Sequence, residues 1–559
     1  MELLVCAFAA LTYLATLAFG FVYDDNPVIV NNAALRVSGG VHLGSILSGN
    51  VVLFRPVTAL WTQTVYALFG PNPTGWHCAS VALHVLATFL VFTVAGRLLG
   101  DRWAAFAAGL IFAVHPAHVE NVAWVSAVND LLMTVLLLSS FLAFLHARAS
   151  RGRAWLALAS GLFLAGLLAK ETAVVFPLLV LSYAWLCSGE AGGDRLTRAG
   201  NAFRQSFVFF GTLAVYMVMR SLSVPGTAAP RHSAGDAIGW IAMVLTWPRV
   251  LWFDFRHLVF PLALSEFYPG KYVSQPAWGS FVLPVALLLG VAAGGWLGVR
   301  RLRQARLAEF ACFWVLLPLA PTWYLRALTR NDFLHDRFLY FPSVGLALLV
   351  AIVLSELPLH AGRRIRAWGQ GWLLALLVAA GATSAVVNEM PWASDLLLYR
   401  NGLKFVPDSS NLKDNLANVL ADHGHTAEAM GLYREVLARD PGFWRSYYNL
   451  GRQYLRQDKN REAEQCLQQG IQVDDRDPDQ FLLLAFAQWR QNKLPEAARN
   501  AELAIAKAPQ APGSHYLLGK ILDAGGSRDQ AIAEFRQEVA NPSGNGAARE
   551  ELRRLGALP

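Results

Sequence analysis

The feature that most limits how this chain folds is a series of long apolar runs in its first 390 residues. Each run has about 16 to 25 residues, long enough as an α-helix to cross the roughly 30 Å hydrocarbon core of a bilayer. The predicted spans are 3–22, 76–99, 103–118, 122–146, 154–169, 172–188, 205–222, 279–299, 308–327, 338–356 and 370–389. The sequence therefore predicts an all-α, polytopic helical membrane domain.

One further apolar stretch, at 237–262, has two interpretations. Trp247-Pro248-Arg249 and the polar residues Asp254, Arg256 and His257 interrupt it. It is predicted to be either a helical hairpin or a re-entrant segment, which gives 11 to 13 spans in all.

Charge divides the chain near residue 390. Residues 391–559 have an ordinary density of charged side chains and a net charge of −1, whereas residues 1–390 carry +9. The basic residues of the first part lie in short loops between apolar runs, which is typical of orientation in a membrane rather than of nucleic-acid binding. With the N-terminus in the cytoplasm, every basic loop is cytoplasmic and the tail lies on the opposite side. We therefore predict a membrane domain at 1–390 and a soluble domain at 391–559, with no nucleic-acid partner.

The tail repeats with a period of 34 residues. Leucines recur at 416, 450, 484 and 518, small residues at 417, 451, 485 and 519, and alanines at 429, 463, 497 and 531. This pattern is typical of tetratricopeptide repeats, which are helix pairs stacked into an α-solenoid. We predict about four repeats and a C-terminal cap at 547–555. Such arrays most often bind a peptide or protein segment, and the alternatives are a rigid spacer or a contact with the chain's own membrane domain.

Four polar clusters fall on the non-cytoplasmic side of the predicted topology, at 23–26, 115–120, 170–171 and 326–337. Ionisable residues at the margin of a bilayer are costly and usually functional. The acidic pair Asp24-Asp25 follows the first span, where low dielectric and a like charge raise the pKa of a carboxyl group toward that of a general base. The alternative is that both residues only solvate the end of the helix.

The order of these clusters, with the repeats behind them, resembles the C-type membrane glycosyltransferase superfamily. Within it, the chain resembles the transmembrane and tetratricopeptide repeat-containing proteins, which are related to the protein O-mannosyltransferases. The matching segments are 21–32 (Phe-Val-Tyr-Asp-Asp-Asn-Pro), Arg55-Pro56, 115–126 (His-Pro-Ala-His-Val-Glu-Asn), 170–173 (Lys-Glu-Thr-Ala) and 336–343 (Asp-Arg-Phe-Leu-Tyr-Phe-Pro-Ser). Relatives tend to have a basic pair where this chain has Val128 and Asn129. If that pair helps to hold an anionic donor, this chain must hold the donor otherwise or with lower affinity.

The resemblance implies an inverting enzyme that moves a sugar from a polyprenyl phosphate to a hydroxyl acceptor. We expect Asp24 or Asp25 to be the catalytic base, with Asp24 preferred, and Glu120 to be a second acid that orients the acceptor or holds a cation. The donor phosphate is expected to contact Arg337 first, then Lys170, Arg55 and Arg330. The acceptor or sugar side is expected to include His115, His118, Glu171, Asp336 and Tyr340.

Several alternatives stay open. No cofactor is expected beyond the polyprenyl-phosphate sugar, although His115 and His118 with Glu120 offer a less favoured divalent-metal site. The acceptor is predicted to be Ser or Thr of an exported protein bound by the repeats, and the alternatives are a lipid or polysaccharide acceptor or a non-catalytic scaffold. We expect a bacterial cytoplasmic membrane location with the repeats in the periplasm.

Overall fold

The structure is a computed structural model that describes residues 1–32, 35, 54–187, 195–223, 238–328, 332–357, 363–541, 544 and 546–558. Every regular element in this part of the chain is helical, which confirms the predicted fold class. The chain divides into two compact units, Met1–Val406 and Pro407–Pro559.

The first unit contains the apolar helices. Its helices of eight or more residues are Glu2–Thr12, Pro56–Phe69, Pro73–Leu99, Arg102–Ala113, Val128–Ser150, Arg153–Ala169, Phe176–Cys187, Arg195–Ser223, Trp240–Val259, Leu283–Arg300, Ala305–Leu316, Pro342–Glu356, Arg363–Glu389 and Asp395–Phe405.

Six apolar segments of this unit are long enough to cross a membrane, and five shorter apolar helices accompany them. Together they coincide with the eleven predicted spans. Few residues of the segments 195–223, 278–300 and 368–393 are buried, as is typical of lipid-facing helices. The chain is a multi-pass membrane protein.

The structure corrects three details of the predicted spans. The first span is not one helix, because its α-helix ends at Thr12 and a short turn, Leu14–Ala18, follows. The third ends at Ala113, because Pro116 lacks an N–H and holds His115 in an extended conformation. The hairpin interpretation of 237–262 is wrong, because Trp240–Val259 is a single helix that contains Pro248.

The first unit also extends past the predicted boundary at residue 390. Trp392 stacks on Trp124 with ring centroids 5.8 Å apart, and Phe405 packs edge-on against Tyr268. These aromatic contacts hold residues 391–406 against the membrane domain, so the unit ends at Val406. A boundary drawn from charge density alone misses such contacts.

The second unit consists of four helix pairs and a final helix, as the repeat period predicts. The pairs are Ser410–Asp422 with Thr426–Arg439, Trp444–Arg456 with Asn460–Val473, Pro478–Trp489 with Leu494–Lys507, and Ser514–Ala524 with Arg528–Ala540. The final helix is Ala547–Arg554. Small residues allow the helices of a pair to approach closely: a Cβ at Gly451 would lie 2.8 Å from Leu467 Cγ.

Candidate functional site

The polar motifs lie in short, irregular helical segments between the apolar helices. Residues 116–127 form three successive short turns, and residues 336–339 form another just before the helix Pro342–Glu356. Breaks of this kind release side chains from the regular helical repeat. They bring together residues that are far apart in the sequence.

The two neighbouring aspartates have opposite surroundings. Asp25 is fully buried, and its carboxylate accepts hydrogen bonds from the Ser126 N–H at 2.9 Å, the Ser126 hydroxyl at 2.5 Å and the Val22 N–H at 3.2 Å. Burial nevertheless raises the pKa of Asp25 to about 7, against these hydrogen bonds. Through its hydrogen bonds with Ser126, Asp25 holds the acidic loop against the segment that follows Trp124.

Asp24 is exposed, and its carboxylate accepts no hydrogen bond from the part of the chain that the structure describes. Partial desolvation by the surrounding protein raises its pKa, and the positive charge of Arg337 acts in the opposite direction. Asp24 is thus the member of the pair whose carboxylate is available to a ligand.

The backbone of this loop is held in an unusual conformation. Tyr23 has a φ of 53°, in the left-handed region that few non-glycine residues occupy. Its N–H donates to Asp395 Oδ1 at 2.7 Å, and the Asn26 amide lies 3.4 Å from Asp395 Oδ2. Asp395 begins the helix Asp395–Phe405, so this helix supports the acidic loop.

Arg337 is the centre of a buried ionic cluster. Its Nη1 lies 3.0 Å from Glu120 Oε1 and 3.3 Å from Glu266 Oε1, and its backbone N–H donates to Glu120 Oε2. The guanidinium also lies over the rings of Trp124 and Phe338, 5.2 and 5.5 Å from their centroids. Glu120 therefore holds a cation, which is one of the two roles that the sequence left open.

His335 lies against the same carboxylates. Its Nδ1 is 3.6 Å from Glu266 Oε1 and 3.9 Å from Glu120 Oε1, and its Nε2 is 3.4 Å from Asp332 Oδ1. Burial lowers the pKa of His335 well below its usual value, and the nearby Arg337 acts in the same direction. Both effects favour the neutral imidazole.

Two of the other cations that were expected to contact the donor phosphate are also paired with carboxylates. Lys170 Nζ lies 2.6 Å from both oxygens of the buried Asp130. Arg55 makes a bidentate ion pair with Glu171, in which Nη2 lies 2.6 Å from Oε1 and Nε lies 2.9 Å from Oε2. Arg330 lies outside the described residues.

Four residues expected on the acceptor or sugar side make contacts within the domain instead. His115 caps the turn at Pro116 and bonds the Leu258 carbonyl, and His118 bonds the Ser343 hydroxyl. Tyr340 bonds His84, and Asp336 accepts from the ring of His257 and the hydroxyl of Tyr268. All four are buried, and these contacts are structural. Their predicted role toward a sugar stays a prediction.

Two residues of this site lie outside every motif of the sequence. Glu266 lies alone in the aromatic segment Leu264–Tyr268, and Asp395 follows the last span. The one available signal for Glu266 is its isolation, because a single carboxylate among apolar residues needs a partner. Asp395 has an ordinary N-terminal helix position and offers no such signal.

Comparisons with known proteins agree with this two-part architecture. A family model described as dolichyl-phosphate-mannose-protein mannosyltransferase matches residues 55–199, and two tetratricopeptide repeat models match residues 420–485 and 482–546. Two solved structures are similar to part of the chain. MamA from Desulfovibrio magneticus has 17% identity and a TM-score of 0.25, over 29% of this chain and 85% of that chain. A thermophilic TPR protein of Thermus thermophilus has 19% identity and a TM-score of 0.26, over 33% of this chain and 95% of that chain.

Two curated relatives match about four fifths of this chain, which is more than its first unit contains. Protein O-mannosyl-transferase Tmtc1 of Drosophila melanogaster is 27% identical over 79% of this chain and 62% of its own length. Tmtc2 of the same species is 34% identical over 56% of this chain and 33% of its own, and mouse TMTC3 is 22% identical over 82% and 53%. The chain therefore spans between about a third and two thirds of the length of these relatives. The chain is therefore similar to proteins named protein O-mannosyl-transferases, and its tail matches tetratricopeptide repeat models.

Proposed function

We propose that the protein is a membrane glycosyltransferase that moves a sugar, mannose in the first instance, from a polyprenyl phosphate to a hydroxyl acceptor. The acceptor is Ser or Thr of an exported protein. The names of the relatives and the family model at residues 55–199 support the class of reaction. The membrane domain supports a lipid-linked donor, whose tail lies in the bilayer and whose phosphate lies at its surface.

The observation that carries the proposal is the opposite state of the two aspartates. Asp25 is buried and accepts three hydrogen bonds, whereas the exposed Asp24 accepts none from the described residues and lies within the field of Arg337. A general base needs a free carboxylate within reach of the acceptor proton. We therefore assign the base to Asp24 and a positioning role to Asp25.

Arg337 is the donor-phosphate contact that the structure favours. Glu120 and Glu266 bind its Nη1, while its Nε and Nη2 make no hydrogen bond within the described residues. Two nitrogen atoms on one edge of a guanidinium match two phosphate oxygens. Lys170 and Arg55 rank behind it, because Lys170 Nζ already bonds both oxygens of Asp130 and Arg55 already uses its Nε and Nη2 for Glu171.

The reaction is a single displacement. The acceptor oxygen forms a bond to the anomeric carbon while the bond from that carbon to the phosphate oxygen breaks. Asp24 takes the hydroxyl proton, and the polyprenyl phosphate leaves with the electron pair beside Arg337. One displacement inverts the configuration at the anomeric carbon.

We place the protein in a bacterial cytoplasmic membrane with the acidic loop and the repeats on the periplasmic side. Basic clusters at 97–102, 148–153, 300–306 and 363–366 favour the opposite side of the membrane for those loops. The repeats then lie where an exported acceptor arrives. Their groove is the proposed binding surface for it.

The test is a transfer assay with labelled polyprenyl-phosphate mannose in membranes that contain or lack the protein. We expect Asp24→Asn to lower transfer to protein by about 10²- to 10⁴-fold, which is the usual contribution of a general base. The environment of Asp24 raises the pKa of its carboxyl group. As the pH is lowered, the transfer activity of the wild-type protein should therefore fall at a higher pH than it would with a base of ordinary carboxyl pKa.

Asp101→Asn is the matched control, because Asp101 is an exposed helix N-cap at the end of a different loop and Asn caps equally well. It should leave transfer unchanged. Label that appears only in lipid or polysaccharide would overturn the protein acceptor and keep the chemistry. Transfer that is equal in Asp24→Asn and wild type would refute the base. Absence of transfer with any donor, from folded protein, would favour the non-catalytic scaffold.

A further inference from the structure

Glu120, Glu266 and His335 form a buried cluster drawn from three separate segments of the first unit. Each side chain is 2–3% exposed. One ligand atom from each residue lies within 4.8 Å of the other two. Sequence spacing gives no hint of this group, because its members are 69 to 215 residues apart.

The distances fit a bound metal ion. Oxygen and nitrogen ligands lie about 2.0–2.2 Å from a transition metal, so two ligands of one ion are at most about 4.4 Å apart. His335 Nδ1 is 3.6 Å from Glu266 Oε1 and 3.9 Å from Glu120 Oε1. Only small side-chain movements would bring the three atoms onto one ion.

Two atoms of the cluster lack partners in the described residues. Glu266 Oε2 and His335 Nδ1 are both buried and make no hydrogen bond. Buried polar atoms are nearly always satisfied, and leaving one unpaired costs about 1–3 kcal/mol. Both atoms are good metal ligands, and they belong to two different residues of the same cluster.

The charge of the cluster is also incomplete. Two buried carboxylates face a single guanidinium, that of Arg337. A buried charge requires a counter-charge. A proton shared between the two carboxyl groups is one way to supply it, and a cation is the other.

The orientation of His335 favours the cation. Its Nε2 lies 3.4 Å from Asp332 Oδ1, and a ring proton on Nε2, directed at that carboxylate, would leave the lone pair on Nδ1. Metal-bound histidines commonly have a carboxylate behind the ring in this way. His335 Nδ1 then faces Glu120 and Glu266 as a ligand and not as a donor.

We propose that Glu120, Glu266 and His335 hold one divalent transition-metal ion, with Mn²⁺ and Zn²⁺ as the candidates. This differs from the sequence-based expectation of no metal, and it uses a different histidine from the His115 and His118 alternative. Oxygen ligands suit Mn²⁺ and the imidazole suits Zn²⁺. Three protein ligands leave positions open for an oxygen of another molecule. If the proposed function holds, the ion lies beside Arg337 and adds positive charge next to the donor phosphate.

The experiment measures metal binding directly. Full-length protein without a histidine tag is purified in detergent, stripped with a chelator and titrated separately with Mn²⁺ and Zn²⁺, and bound metal is counted by mass spectrometry. We expect about one ion per chain. For Mn²⁺, electron spin-echo spectra should show one directly bound ¹⁴N nucleus. The preferred ion is the one that binds more tightly.

Glu266→Gln and His335→Gln should each raise the dissociation constant at least tenfold, and the ¹⁴N signal should vanish in His335→Gln. His115→Gln is the matched control and should bind as wild type does, because the His115 ring is used by the Leu258 carbonyl. Thermal unfolding identifies variants that have not folded. The wild-type spectrum tests the site without any variant.

Wild-type protein that binds neither ion at millimolar concentration would overturn the proposal and favour the shared proton. Loss of binding in His115→Gln but not in His335→Gln would overturn it in favour of the other histidines. Binding does not depend on transfer activity. A protein that binds the ion but transfers no sugar would refute the proposed function and leave the metal site standing.

Discussion

The two units place their ion pairs in opposite environments. In the membrane unit, Lys170 and Asp130 are 8% and 6% exposed, and the carboxylates around Arg337 are 2–3% exposed. In the repeat unit, Arg490 and Asp458 are 43% and 75% exposed, and Arg456 and Asp422 are 52% and 65% exposed. The first unit buries its charges, and the second keeps most of them at the surface.

The buried ion pairs indicate which part of the molecule carries a functional site. Burying a pair of ions costs desolvation energy that their attraction repays only with good geometry, whereas an exposed pair costs and contributes little. The repeat unit reaches a stable fold with apolar and small residues in its helix seams. The membrane unit retains several buried pairs at one place, where the predicted motifs converge, and stability alone gives no reason for this.

The largest loss of stability is expected when the buried pair of Lys170 and Asp130 is broken. Asp130→Ala leaves a buried ammonium group without its counter-charge, because both Asp130 oxygens contact Lys170 Nζ at 2.6 Å. We expect a loss of about 3–5 kcal/mol in stability. Hydrogen–deuterium exchange of the helix Val128–Ser150 in the purified full chain measures it.

The double variant Asp130→Leu with Lys170→Met is the matched test of cause. It removes both charges and fills the space with apolar side chains, so stability should return to near the wild-type value. If sugar transfer is established, it should not return fully, because the cationic surroundings of the site have changed. A double variant as unstable as the single one would show that packing, and not charge, is responsible.

The repeat unit could be predicted closely because its information is local. A period of 34 fixes which residues face the seam, and the fixed spacing of Ala429, Ala463, Ala497 and Ala531 predicts where the helices approach. All four alanines are fully buried. Each repeat contacts mainly its neighbours, so one repeat predicts the next.

The site could be predicted only in part, because its contacts join segments that are far apart in the sequence. The motifs at 23–26, 115–120 and 336–337 indicate where polar chemistry lies. Nothing in them indicates that Glu266 completes the surroundings of Arg337 or that Asp395 holds the Tyr23 N–H. Nor does the sequence show which aspartate of the pair is buried, since Ser126 decides that through the fold.

A smaller effect tests the packing side of the comparison. In Gly519→Ala, the new Cβ would lie 2.6 Å from Phe535 Cε1, and the fully buried Phe535 has no room to move. Overpacking costs about 1–3 kcal/mol and helix propensity returns about 1, so we expect a net loss of up to about 2 kcal/mol. Hydrogen exchange in the helix Ser514–Ala524 should quicken accordingly.

Gly431→Ala is the control for this variant. Gly431 lies inside the helix Thr426–Arg439 with nothing within 4 Å of the new Cβ. The substitution should therefore stabilise this helix by about 0.5–1 kcal/mol, and hydrogen exchange in the helix should slow. Equal effects of the two alanines would contradict the view that close packing requires Gly519.

The smallest loss of stability is expected when an exposed ion pair of the repeats is broken. Arg490 and Asp458 contact each other at 2.5 Å, a distance as short as those of the buried pairs. Distance alone would therefore predict a similar contribution to stability. Exposure predicts otherwise, because water and salt screen the attraction, and we expect Arg490→Gln to cost less than about 1 kcal/mol of stability.

Hydrogen-exchange rates in the helix Pro478–Trp489 should change little in this variant. The remaining difference from the wild type should disappear at about 1 M salt, where the screening length is about 3 Å. A loss comparable to that of Asp130→Ala would mean that burial does not distinguish the two units, and the buried pairs would lose their value as a marker of the site.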